Sequence, residues 1–112
     1  MRIFNIFLCL GLLLTLNVHA DSRSVELHAE TWDISRQGEA LLRVPELSSI
    51  IRLWMTDPAQ NIELRYPGGE EGELWVEELK DWMVSLGVPS SAIEPVPGSD
   101  AQDVINILIR KP

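Results

Sequence analysis

From Val25 onward apolar and polar positions alternate: Val25, Leu27 and Ala29 on one side, Glu26, His28 and Glu30 on the other. A period of two is that of a half-buried strand, so the run "SVELHAETWDIS" opens with a strand carrying one polar face. The period then lengthens. Leu47, Ile50, Ile51, Trp54 and Met55 recur at helical spacing and make one apolar face. Pro45 suits the first turn of that helix, and Asp57, placed before Pro58, ends it. Ile62, Leu64 and Tyr66 alternate with Glu63 and Arg65, a second strand that stops at Pro67-Gly68-Gly69. A second helix follows over "GELWVEELKDWMVSLG", with Leu74, Trp75, Leu79, Trp82, Met83 and Leu86 as its apolar face. Gly87 is its natural C-cap and Pro89 prevents continuation. A short strand is indicated near Ala92 and Ile93, "EPVPGSD" reads as a turn-rich loop, and "DVINILIRK" has the length and apolar density of a well-covered strand. The stretch "RQGEALLR" fits either a short helix or a loop with one apolar turn. Trp32 falls where no pattern assigns an element.

The predicted order is β-α-β-α-β, an α+β two-layer sandwich with two helices packed on one face of a small mixed sheet. It forms one domain, residues 21–112, without internal repeats or low-complexity segments.

The first twenty residues belong to a different pattern. Arg2 gives a positive start, Ile6 to Leu16 form an apolar run, and Val18-His19-Ala20 places small residues at a cleavage site. This is the layout of a secretory signal peptide, residues 1–20, cut after Ala20. The apolar run is short for a membrane span of about 20 residues. Cys9 lies inside that run and follows Leu8, not the small residue that precedes a lipidated cysteine. The chain is therefore expected in the periplasm, with no stable membrane insertion after cleavage.

Export changes the reading of the composition. Cys9 is the single cysteine, so residues 21–112 offer no disulfide, no thiol nucleophile and no thiolate metal ligand. Stability must then come from an apolar core, to which four Trp contribute. All 17 Asp and Glu lie beyond residue 20, so the exported part is more acidic than the net −8 of the whole chain. That balance disfavours nucleic acid and anionic membrane surfaces and suits a basic partner.

"ELSSIIRLWMTDPAQ", "IELRY", the glycine turn, "WMVSLGVPSSAIEPVPG" and "DVINILI" follow one another between Val44 and Ile109. In that order they resemble the C-terminal domain of the OmpA family, the peptidoglycan-binding module of Gram-negative envelopes. The resemblance covers about two thirds of the exported part, with "L-G-V-P-x-x-x-I" its most family-like segment. It implies the α+β sandwich and an envelope location. Family members carry a G-H-T-D-like motif after the central strand and an arginine early in the next helix, which together grip diaminopimelate. Here the strand runs into Tyr66-Pro67-Gly68-Gly69, and the helix opens Glu73-Leu74-Trp75. The Asp and the Arg are both absent, the loop is shorter, and no binding residue is carried over from the family.

"GGEEGE" has the outline of a phosphate-cradling loop, but its spacing is not that of a nucleotide motif and Glu70, Glu71 and Glu73 would repel phosphate. Those acids complement the dipole of the helix they precede, and the glycines allow a tight turn. The calcium-loop pattern is missing too, so neither metal nor cofactor is expected. His28 is the lone histidine of the exported part and has no Ser or Asp partner at recognisable spacing. Glu63 and Glu94 could face one another, but nothing marks them as a catalytic pair. Trp54, Trp75 and Trp82 sit on apolar helix faces, as core aromatics do. Trp32 is the candidate for a partly exposed aromatic at an interface or on a sugar.

The expectation is a non-enzymatic periplasmic envelope protein, a protein-binding or accessory module such as pilus and secretion systems use. Its candidate surfaces are the acidic rim from Glu70 to Glu78 and the sheet face bearing Glu26, His28, Glu63 and Arg65. A divergent peptidoglycan or glycan binder using Trp32, Arg65 and Tyr66 is the second alternative, and a small hydrolase the third.

Overall fold

The computed structural model describes residues 23–35 and 38–111; the signal-peptide assignment lies outside them. Four strands, β1 (Arg23–His28), β2 (Asn61–Tyr66), β3 (Ile93–Pro97) and β4 (Val104–Arg110), form one sheet in the order β1-β4-β2-β3. β4 is antiparallel to both β1 and β2, while β2 and β3 run parallel. Between the strands lie two short helices, α1 (Ala29–Ser35) and α2 (Gly38–Leu41), and two long ones, α3 (Pro45–Thr56) and α4 (Glu70–Ser85). The fold is α+β with a small mixed open sheet.

Register explains the two layers. Leu27 is paired with Ile105, Val25 with Ile107, Ile62 with Ile109 and Ile93, and Leu64 with Ile107. Paired residues share a face, so these side chains form one apolar surface. It merges with Leu47, Ile50 and Trp54 of α3 and Trp75, Val76, Leu79 and Met83 of α4 in a single core. The alternate residues, Glu26, His28, Glu63, Arg65, Glu94 and Arg110, share the opposite face. That is the polar sheet face expected from the alternation. It also brings Glu63 opposite Glu94 in the β2–β3 register.

Several details differ from the sequence reading. Strand β1 stops at His28, and the next residues turn into α1. Ala29 donates its N–H to the Asp103 carbonyl at 2.8 Å, which turns the chain out of the sheet. Ala and Glu are good helix formers, so "AETWDIS" follows as a helix despite its apparent alternation. Trp32, one turn beyond Ala29, is thereby carried into the core at 5% exposure and is not the partly exposed ring anticipated. "RQGEALLR" contributes the short α2. "EPVPGSD" is not all loop, since its first residues belong to β3. The order is therefore longer than β-α-β-α-β.

Strand β3 holds two prolines because it is an edge. Residues two apart direct their N–H groups to the same side, so Pro95 and Pro97 withhold donors from one side only. Gly98, in step with Glu94 and Val96, donates to the Tyr66 carbonyl at 2.9 Å, so the proline side is the open edge. Prolines there discourage pairing with another chain.

Both long helices have defined ends. Gln60 turns its amide back to the carbonyl of Asp57 at 3.1 Å, and the Trp54 indole donates to the Gln60 carbonyl at 3.0 Å, locking the end of α3 to the start of β2. Within α3, Met55 is 60% exposed and leaves the predicted apolar face. In α4, Leu74 does the same at 68%, and Val76 takes the buried place it was assigned.

At the other end of α4, Val88 donates to the Met83 carbonyl at 3.1 Å and Gly87 to that of Val84 at 3.0 Å. These two bonds define a Schellman termination, with Gly87 at φ +108°. An alanine at position 87 would meet no neighbour within 4 Å, so its cost is that of the backbone alone. Gly87→Ala is expected to lose about 1–2 kcal/mol in urea unfolding. Gly68→Ala, at a site equally open but without positive φ, should be near neutral. Equal losses at the two positions would refute the assignment to backbone strain.

Candidate functional site

The β2–α4 turn sits at the mouth of a hollow of about 450 Å³, bordered by Ala29, Pro67 to Gly72, Trp75, Gln102 and Asp103. A second, of about 370 Å³, is bordered by Ala29, Trp32, Asp33, Glu71, Leu74, Trp75 and Glu78. Ala29, Glu71 and Trp75 belong to both, so the two are stretches of one cleft between the N-terminal half of α4 and the β1–α1 junction.

Its form follows from the local sequence. Gly69, at φ +96°, turns the chain into α4, and as N-cap it has no side chain to offer the first amides of the helix. Glu73 donates to the Gly69 carbonyl at 3.0 Å; the earlier amides of the turn have no carbonyl one turn back. Gly72 belongs to the helix, not to the turn that the glycine run suggests. It is buried, and a Cβ there would lie 1.7 Å from the Pro67 carbonyl oxygen. Strand end and helix start are packed backbone against backbone.

The rim is acidic and the floor aromatic. Glu70, Glu71, Asp33 and Asp103 line the cleft, and none makes an ion pair among the described residues. Among the described residues no Lys or Arg lines it. Glu78 accepts a hydrogen bond from the Trp32 indole at 3.4 Å. Trp75 is 8% exposed, and its indole N–H has no acceptor among the described residues. A buried polar hydrogen left without a partner costs free energy comparable to a lost hydrogen bond, so it marks a position that an acceptor would stabilise.

The residues singled out in the sequence are only partly brought together. Glu70, Glu71 and Trp32 border the cleft; Glu73 is in the first turn of α4 but does not. Arg65 and Tyr66, adjacent on β2, point to opposite faces of the sheet. Arg65 is on the open face and binds the carboxylate of Glu63, which Arg110 also engages at 3.0 Å. The Glu63 side chain is only 12% exposed. Tyr66 packs against the core. One site built from Trp32, Arg65 and Tyr66 is therefore not assembled in this fold.

Sequence reasoning overlooked Trp75, Asp33, Gln102 and Asp103. The last two come from the β3–β4 connection, which Asn106 fixes through two bonds to Asp100, 2.8 Å from its N–H and 3.1 Å to its carboxylate. No sequence pattern links that loop to the β2–α4 turn. Trp75 carried a signal, being an aromatic next to a helix start, but core packing explained it equally well.

Among the described residues no group of His, Cys, Asp and Glu is arranged to hold a metal ion. Nor is any helix among them long and apolar enough to cross a membrane. No protein-family model matches the chain, and no curated protein is significantly similar to it.

Proposed function

We propose that this protein is a non-enzymatic binding module of the cell envelope, engaging a protein partner through the cleft between α1 and α4. The observation that carries the reading is one cleft lined both by Glu70, Glu71, Asp33 and Asp103, none of them in an ion pair among the described residues, and by Trp75, whose buried indole N–H has no acceptor among them. Binding sites combine such an apolar floor with a few convergent polar groups. Among the described residues that line the cleft none carries a hydroxyl, thiol or imidazole, the groups of a hydrolytic nucleophile–base pair. The signal-like N-terminus supports an envelope location, and the acidic balance favours a partner of opposite charge.

A second reading is favoured by position. The cleft opens at the turn after β2, where the resemblance to the OmpA-type domain would put a diaminopimelate site. Against it stands the lack of any arginine among the described residues of the lining.

One experiment separates the two. A photoreactive benzoylphenylalanine replaces Leu74, an exposed residue at the lip of the cleft, or Met55, exposed near the end of α3, as control. Irradiation of intact cells should yield a discrete protein adduct from position 74 only. An adduct that enters a gel only after muramidase digestion would transfer the cleft to the peptidoglycan reading. Equal products from both positions, or none, would remove the cleft as the binding face.

A further inference from the structure

The two edges of the sheet are not alike. The outer side of β3 is closed to pairing by Pro95 and Pro97, whereas β1, the other edge, carries no proline. The direction of its backbone groups follows from one bond. Ala29 donates towards β4, to the Asp103 carbonyl, and residues two apart on an antiparallel strand turn both N–H and C=O to the same side. Val25 and Leu27 therefore bond to β4, while Ser24, Glu26 and His28 turn their N–H and C=O outward. Among the described residues no backbone hydrogen bond reaches that outer side. All three outward residues are exposed.

Beside this edge lies a hollow of about 470 Å³, bordered by Val25 and, on and just before α3, by Arg43, Pro45, Glu46, Ser49 and Arg52. It shares no described residue with the cleft. Val25 is on the core face of the sheet, so the hollow is on the helix side of the edge, where a strand added to β1 would direct every second side chain. Arg43 and Arg52 are exposed and make no ion pair among the described residues, in a chain of net charge −8. Glu46 is the one acid beside them in the described lining, so the local balance is cationic.

The outward N–H and C=O groups call for a second extended backbone, and the arginines select its charge. A second copy of this chain fits poorly. Symmetric antiparallel pairing through all three outward residues sets Glu26 against Glu26, and like charges directly opposite destabilise a sheet. It also places Leu27 of the copy, not an acid, beside Val25. We infer that β1 accepts an added strand from a partner protein: an extended segment whose backbone pairs with Ser24, Glu26 and His28, and whose inward Asp or Glu meets Arg43 and Arg52. In strand addition the main-chain bonds supply affinity and the side-chain hollow supplies selectivity.

The test uses ¹⁵N-labelled protein purified after expression of the whole 112-residue chain. The probe is an end-blocked octapeptide of alternating threonine and glutamate, which puts all its carboxylates on one side of an extended chain. At saturation it should slow hydrogen exchange at the Ser24, Glu26 and His28 amides by about tenfold or more, while those of Val25 and Leu27, already bonded to β4, change little. Arg43→Gln with Arg52→Gln should weaken binding about fivefold to tenfold, as loss of two exposed ion pairs does. Glu26→Pro removes an outward N–H only, so it should fold and fail to bind. If that variant does not fold, the arginine pair decides. A threonine–lysine peptide should bind far less tightly. Equal binding of the two peptides, binding unaltered by the arginine changes, no protection at those three amides, or no binding at millimolar peptide would each overturn the inference. So would protection in the free protein that rises with its concentration, which would assign the edge to a second copy. None of these outcomes bears on the cleft, which the crosslink at position 74 tests separately.

Discussion

Replacing Gly72 by alanine is expected to destabilise the protein by about 3 kcal/mol, the upper part of the usual range for overpacking. Helix propensity alone predicts the opposite sign, since Gly→Ala inside a helix gains up to about 1 kcal/mol. Tertiary contact reverses it. The added methyl would lie 1.7 Å from the carbonyl oxygen of Pro67 and 2.7 Å from its carbon. Both are backbone atoms of the residue that follows β2, so no side chain can swing aside. Relief requires α4 to move away from the strand, opening the core around Trp75, Val76 and Leu79. Urea unfolding followed by tryptophan fluorescence measures the loss. An alanine variant as stable as the parent would show that the approach of α4 to Pro67 is not as tight as described. Because this contact also shapes the mouth of the cleft, the variant should give less of the position-74 adduct even where it remains folded.

The second large effect is expected at the central strand. Ile107 is fully buried on β4, paired with Val25 on one side and Leu64 on the other. Ile107→Ala should cost about 2–5 kcal/mol, the transfer loss plus a cavity that a strand hydrogen-bonded on both sides cannot close. That is a large part of the roughly 5–15 kcal/mol available to a small domain. Its neighbour Leu108 points to the polar face, opposite Glu63 on one side and Ser24 on the other, and is only half-buried. Leu108→Ala should cost under about 1 kcal/mol. The midpoints of the two urea transitions compare them directly. Similar losses would mean that both sheet faces are covered, contrary to the two-layer arrangement.

Local periodicity accounts for how much of this was legible. The α3 and α4 periods, the β2 alternation and the apolar density of β4 each translate into an element because burial repeats at the period of the backbone. Misreadings occurred where two periods coincide over a few residues. "VELHAE" alternates like a strand, yet its last two residues begin α1, since a short run cannot distinguish the periods. β3 was obscured by its prolines, which argue against a strand unless it is known to lie at an edge. Leu74 and Val76 exchanged roles because the buried arc of a helix depends on where its neighbours stand.

The cleft was the least legible part. Glu70 and Glu71 drew attention as a charged run, but their reading as helix-start acids was sufficient by itself. What makes them a candidate site is their neighbours: Trp75 below, Asp33 from α1, and Gln102 and Asp103 from the far loop.

By itself the sequence determined the fold class, the two amphipathic helices, the polar and apolar sheet faces, and the absence of cysteine beyond residue 20, because each is written in adjacent residues or in composition. Only the tertiary structure decided that Trp32 is buried, that Arg65 and Tyr66 diverge, that Gly72 serves close packing, and that carboxylates from three segments line one cleft with Trp75. Those features depend on which segments meet in space, and strand order and helix docking bring together residues that no local period relates.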